Sequence, residues 1–380
     1  MLIHSKLPNV GTTIFTTMSA LAREHNAINV SQGFPDFSCD VKLLDLANKY
    51  MMGGFNQYAP MQGVIQLRET IAEILHTCYN ATYNPDTEIA ITAGATQGIY
   101  TSIAALIKEG DEVIVFEPAY DCYIPAIELH GAKAVSVQLS YPNFQIDWNL
   151  VKQLVNDKTK MIIINTPHNP SGTTLNESDL KTLEALVKDK NIIVLSDEVY
   201  EHMAFDGAPH QSVARFPSLK QQSIIISSFG KTVHTTGWKI GYVAAPEYLM
   251  KEFRKVHQFL VFAVNHPFQL ALAEYLSHKE NYLELKHFYQ SKRDLFRKLI
   301  SGSRFQIEPC TGTYFQLLNY TKITDENDCD FAIRLTKEFK LASIPLSVFY
   351  TKQTDNKLLR FCFAKKTETL EKAAEILNRI

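Results

Sequence analysis

Between residues 88 and 246 short apolar runs rich in β-branched residues alternate with amphipathic stretches of helical length. That alternation is the pattern of a mainly parallel sheet flanked by helices. Seven strands are predicted, over Glu88–Thr92, Glu112–Phe116, Ala134–Gln138, Met161–Ile164, Ile192–Ser196, Ser223–Ser227 and Tyr242–Ala245. Helical patterns fall between them at Thr96–Lys108, Trp148–Asn156 and Glu177–Lys188. Asp147 occupies an N-cap position, and Asn176 with Asp179 three residues later resembles a capping box. Beyond Pro246 the pattern changes to long helical stretches, Tyr248–Phe262 and Pro267–Leu299, then to shorter strands and helices. The expected fold class is α/β: a large domain over 40–285 with a mainly parallel seven-stranded sheet between helices. A smaller α+β domain is expected from 1–39 and 286–380, with a long helix near 280–300 as connector.

Ligands of open parallel sheets sit beyond the carboxyl ends of the strands, so the residues that follow each apolar run are the candidates for chemistry. They are Gly94-Ala95-Thr96 opening a helix, Glu117-Pro118-Ala119-Tyr120, Asn165-Thr166-Pro167-His168-Asn169-Pro170, Asp197-Glu198-Val199-Tyr200 and Ser228-Phe229-Gly230-Lys231. Together they offer an anion site, an aromatic face, an amide, a carboxylate beside a phenol, and an amine. Pyridoxal 5′-phosphate (PLP) needs all of these, having a phosphate, a flat ring, a phenolic oxygen, a pyridine nitrogen and an aldehyde.

The run Ser228-x-x-Lys231-Thr232-x4-Gly237-Trp238-Lys239-x-Gly241 resembles the lysine motif of fold-type-I, class I/II aminotransferases. Asn169-Pro170-Ser171-Gly172, Asp197-x-x-Tyr200 and Arg360 follow in that family's order. SQGFPDF (31–37), FNQYAPMQG (55–63), EPAYDCY (117–123) and IPLSVF (344–349) are similar to the branch containing kynurenine/glutamine and methionine aminotransferases. The resemblance covers essentially the whole chain.

It implies that Lys231 forms a Schiff base with PLP and, once released by the substrate amine, shuttles a proton. Asp197 would keep the pyridine nitrogen protonated, while Tyr200 and Asn169 would hydrogen-bond the ring oxygen. Ala95 and Thr96 would offer helix N-terminal amides to the phosphate, joined by Ser228 and Lys239. Many relatives carry arginine where Lys239 stands, so the planar fork is lost there. Tyr120 would stack on the ring, and Tyr58 would reach the phosphate of a neighbouring subunit, implying a homodimer with shared sites. Arg360 would grip the substrate α-carboxylate bidentately, with Gly33 letting backbone approach it. Phe15, Phe34, Phe259 and Phe262 are candidates for an apolar side-chain pocket, which points to uncharged, bulky substrates: methionine, phenylalanine, tyrosine, glutamine or kynurenine. The expected reaction moves an amino group to a 2-oxo acid by a ping-pong route. A β-lyase acting on cysteine conjugates is the same-cofactor alternative. A non-catalytic sensor is the other, although fused regulators need a DNA-binding module for which the sequence leaves no room.

Composition narrows the partners. Lys plus Arg (38) nearly balances Asp plus Glu (40), with no basic block, so neither a nucleic-acid footprint nor a membrane-surface patch is indicated. The six cysteines lack CxxC spacing, which argues against a zinc site or disulfide framework. No secretory leader or long apolar run occurs, so the cytoplasm is the expected location. Gly230-Lys231-Thr232 imitates the end of a P-loop, but Ile225 stands where that motif needs glycine. None of the 16 glycines are two apart, and no two of the 12 histidines are spaced i, i+4, which removes GxGxxG and HExxH chemistry.

Overall fold

The computed structural model describes residues 4–8 and 10–380. The central sheet is built from β1 (Ile89–Thr92), β2 (Glu112–Glu117), β3 (Lys133–Gln138), β4 (Thr159–Asn165), β5 (Ile193–Asp197), β6 (Ser223–Ser228) and β7 (Gly241–Ala244). Their order is β1-β7-β6-β5-β4-β2-β3. Every neighbouring pair is parallel except those of β7, which runs antiparallel to both β1 and β6.

Why these strands read as unbroken apolar runs is visible in the packing. Successive side chains point to opposite faces, and both faces are covered. Ile114, Ile162, Ile164, Val194 and Ile225 enter one core, whereas Val113, Val115, Ile163, Leu195, Ile224 and Ile226 enter the other. Helix Ala95–Leu106 covers the second face, its Gly98 lying so close to the sheet that an added Cβ would meet Val243 at 3.0 Å.

The C-terminal part carries a second, antiparallel sheet of β8 (Gln306–Ile307), β9 (Phe315–Asn319), β10 (Ile344–Pro345) and β11 (Leu358–Cys362), in the order β10-β11-β9-β8. The N-terminal segment joins this side of the molecule, because Ile28–Asn29 pairs in parallel with Leu341–Ala342. The helical stretch expected over Pro267–Leu299 is three helices, His266–Leu276, Glu280–Leu283 and Leu285–Leu299. Local hydrogen bonds interrupt it: Ser277 Oγ donates to Glu274 O and Asn281 Nδ2 to Tyr275 O, satisfying carbonyls that a continuous helix would have used. Among the described residues no helix is long and apolar enough to cross a membrane.

Candidate functional site

At the carboxyl ends of β1, β2, β4, β5 and β6 lies a cavity of about 320 Å³. Gly33, Ala95, Thr96, Tyr120, Asn169, Asp197, Tyr200, Ser228, Lys231, Lys239, Arg360 and Phe15 all border it. Residues up to 345 positions apart in sequence (360 − 15) thus meet around one space.

Asp197 ends β5 and is buried. Burial raises its carboxyl to about 6, although Tyr123 Oη donates to it at 2.5 Å and the Val199 N–H at 3.3 Å, both of which favour the charged form. Asn165 ends β4 beside it: its Nδ2 donates to Asp197 O at 2.8 Å and its Oδ1 accepts from the Asn169 N–H at 2.8 Å. One amide thereby ties the Asp197 strand to the Asn169 turn.

Lys231 lies in the short helix Phe229–Thr232 that follows β6. Burial lowers its amine to about 8; Arg360 and Lys239 add repulsion, and Asp197 counters them. At pH 7 roughly one amine in ten is then neutral, against about one in 2,500 for an exposed lysine. Tyr200 lies edge-on to Tyr314, their ring centroids 5.1 Å apart, and burial raises its phenol far above the ordinary value.

Arg360, on β11, is 1% exposed. Its guanidinium stacks on Phe315 at 3.9 Å, donates to Asn169 Oδ1 at 2.7 Å and Ser31 O at 3.2 Å, and leaves Nε without a partner. Burial lowers its pKa to about 10. A buried cation with an orphan donor beside a cavity is arranged for an incoming carboxylate.

The helix beginning at Ala95 has no side-chain cap; Gly94 precedes it with φ 78°. Its first amides are therefore free for an anion. Lys239 brings charge to the same turn, since its Nζ would lie 3.3 Å from a Cβ at Gly94. Uncapped amides with a lysine at one end, a buried carboxylate that forms no ion pair among the described residues at another, an amine between them and Tyr120 on the wall fit the phosphate, pyridinium and aldehyde of PLP.

Other candidates lie elsewhere. Tyr58 is 82% exposed, and its ring meets Phe262 edge-on at 5.3 Å on the surface, outside the cavity of its own chain. Phe259 and Phe262 are exposed and do not border that cavity; Phe34 lies in an open groove shared with Phe15. Asn165, named among the residues that follow the apolar runs but given no role, belongs to the site, as do Tyr123, Gln32, Thr236, Phe315 and Tyr314, to which the sequence assigned none. Tyr123 lies within the EPAYDCY motif. Tyr314 has no such signal, for only the tertiary fold brings it to Lys231.

Behind this wall Glu198 and Glu201 form a buried polar layer. Glu201 accepts from Tyr79 Oη at 2.6 Å, Ser227 Oγ at 2.6 Å and Tyr242 Oη at 2.8 Å. Glu198 accepts from Ser196 Oγ at 2.7 Å and lies 2.9 Å from His210 Nε2. Burial opposes the charge on Glu201, yet His202 and these hydroxyls hold its carboxyl below the ordinary value.

The family model described as aminotransferase class I and II matches residues 25–377. A methionine aminotransferase of Escherichia coli K12 is 47% identical over 378 residues, covering 99% of this chain and 98% of its own. A solved structure of a methionine aminotransferase from Escherichia coli, also 47% identical, superposes with a TM-score of 0.98 over 100% of both chains. Human kynurenine–oxoglutarate transaminase 3 is 32% identical, over 98% of this chain and 89% of its own.

Proposed function

The chain belongs to the class I and II aminotransferases, and we propose that it holds PLP on Lys231 and moves the amino group of an uncharged, bulky amino acid, methionine foremost, to a 2-oxo acid. The observation that carries this reading is the buried Lys231 amine, lowered to about 8, bordering one cavity with the Arg360 cation, whose Nε has no partner, and the buried acid of Asp197. Bound PLP supplies an electron sink that acidifies the Cα–H of the amino acid joined to it. The residues do the rest. Arg360 orients the α-carboxylate, Lys231 Nζ takes the proton from Cα, and Asp197 balances the protonated ring nitrogen. Asn169 and Tyr200 hold the ring oxygen, Tyr120 covers the ring, and Ala95, Thr96, Ser228 and Lys239 hold the phosphate. A second oxo acid then runs the same sequence in reverse, which makes the kinetics ping-pong.

Among the described residues the cavity's cations are Lys231, Lys239 and Arg360. Each has a task in this scheme, so none remains for a second substrate carboxylate, whereas Phe15 and Phe315 offer apolar surface. The amino donors named for the E. coli and human relatives, methionine and kynurenine, agree with that preference for uncharged donors. We assign 40–285 as the PLP-binding unit, 1–39 and 286–380 as the smaller unit, and the cytoplasm as the location. A homodimer follows from the same reading, with Tyr58 reaching the partner's phosphate site.

Single-turnover half-reactions of the purified protein with a panel of amino acids, followed by the cofactor's absorbance, test the proposal. Methionine and aromatic donors are expected to react fastest, and borohydride is expected to fix the chromophore to the peptide containing Lys231. Fastest reaction with aspartate or glutamate would sink the apolar-substrate reading, and a label on another lysine would sink the site.

A further inference from the structure

The amine of Lys231 is held by two oxygens. It donates to Tyr314 Oη at 2.6 Å and to the Gly33 carbonyl at 3.1 Å. The Tyr314 hydroxyl itself donates to that same carbonyl. Its one proton is therefore engaged with Gly33, and it presents only lone pairs to Lys231. An amine nitrogen has three directions besides its bond to Cε. Two are taken by N–H bonds aimed at Tyr314 and Gly33. The third, which carries the lone pair in the neutral amine, is left for the cavity that Lys231 borders.

Both oxygens are rigidly placed. Tyr314 is fully buried, its ring centroid 4.9 Å from that of Phe315 and 5.6 Å from that of Tyr289. Position 33 cannot carry a side chain without displacing Phe315, because a Cβ there would lie 2.8 Å from that ring.

We propose that Tyr314 is a positioning residue for the free amine of Lys231: together with the Gly33 carbonyl it fixes two N–H directions, so that the nitrogen's lone pair faces the cavity whenever Lys231 is uncombined. This rests on the reading of Lys231 as the amine that the reaction releases and recaptures. Among the described residues no carboxylate hydrogen-bonds the amine. The groups facing it are Cys362 and Asp197, which favour its charge, Arg360 and Lys239, which oppose it, and the Tyr200 ring at 5.7 Å. Acceptor oxygens bind an ammonium better than an amine, so removing one lowers the pKa of Lys231.

Tyr314→Phe keeps the ring and removes the oxygen. In cofactor-free protein, the pH dependence of Lys231 labelling by acetic anhydride, read by peptide mass spectrometry, gives the titration midpoint of this amine. The midpoint is expected to fall by about one pH unit. Although more of the amine is then neutral, its pH-independent rate of capture of free pyridoxal is expected to drop roughly tenfold, because its orientation is lost. A tyrosine that serves packing alone leaves both quantities as in the wild type, and that result overturns the proposal. Should Tyr314→Phe fail to fold, 4-fluorophenylalanine at 314 fills the place of the hydroxyl with a poor acceptor that cannot ionise; a fall in midpoint is again expected, and no fall overturns the proposal equally. The labelling needs no PLP, so its outcome is separable from whether the wild-type protein binds that cofactor.

Discussion

Burial holds the proton on Asp197 up to about pH 6 in the folded chain, against 3.8 for a solvated aspartate. Below both values the folded and unfolded chains carry the same proton, and the stabilising contribution is complete. It is lost as pH rises through about 6, where the folded chain alone must give up a bound proton. Asp197→Asn lacks that titration. Relative to the Asn variant, the cofactor-free wild type is therefore expected to lose about 2 kcal/mol of unfolding free energy between pH 4 and pH 7, measured by urea denaturation. Parallel stability curves for the two proteins would show that the carboxyl is not desolvated. Asp197 was legible in sequence because a carboxylate ending an apolar run has no packing role, and Lys231, Asn169 and Arg360 stood out through motif spacing. The partners that tune them were not. The phenols of Tyr123 and Tyr314 act through contacts across 74 and 83 residues, which no local pattern encodes.

Gly241 begins β7, the strand that runs against its neighbours. A Cβ there would lie 2.5 Å from Ser227 O and 3.1 Å from both Ala95 N and Gly94 C. The absence of a side chain lets the antiparallel strand approach the Gly94–Ala95 turn. Gly241→Ala is expected to cost about 3 kcal/mol in chemical denaturation, since backbone must shift on two sides; an unchanged midpoint would show that the turn yields freely. All seven sheet strands were legible: the inner ones because segments covered on both faces are largely apolar, and the half-exposed edge strand Lys133–Gln138 through its valines. The antiparallel direction of β7 was not, as direction depends on the connection and not on the strand's own residues. Helices Ile14–Glu24, Val41–Met52 and Ile65–Tyr79 lie ahead of the stretch whose alternation was readable, and the interrupted helix after Pro267 needed the side-chain caps to be seen.

At the scale of the molecule, large aromatics lie on the outside. Phe259 is 87% exposed near the end of helix Glu247–Leu260, and Phe262 follows just beyond it against Tyr58. Exposed aromatics grouped in this way mark a surface that another protein covers. Under the homodimer reading, Phe259→Glu is expected to shift the protein toward monomer in sedimentation velocity and to weaken its hold on PLP, because Tyr58 of each copy would leave the other's phosphate site. A wild-type protein that sediments as a monomer at every concentration would remove that reading.

Glu201 has a consequence for how the enzyme adapts. Three hydroxyls, from Tyr79, Ser227 and Tyr242, anchor its carboxylate, and they come from a helix and two strands on the far side of the Asp197–Tyr200 segment. That segment is clamped from the rear and cannot retreat to admit a larger substrate. On the opposite bank Gly33 is held as well, its carbonyl accepting from Lys231 Nζ and Tyr314 Oη, whereas the Phe15 side chain is only half buried. Room for differently shaped amino acids therefore lies around Phe15, and changes of preference within this scaffold are to be sought there, with the Asp197–Tyr200 segment serving as the fixed jaw of a vice.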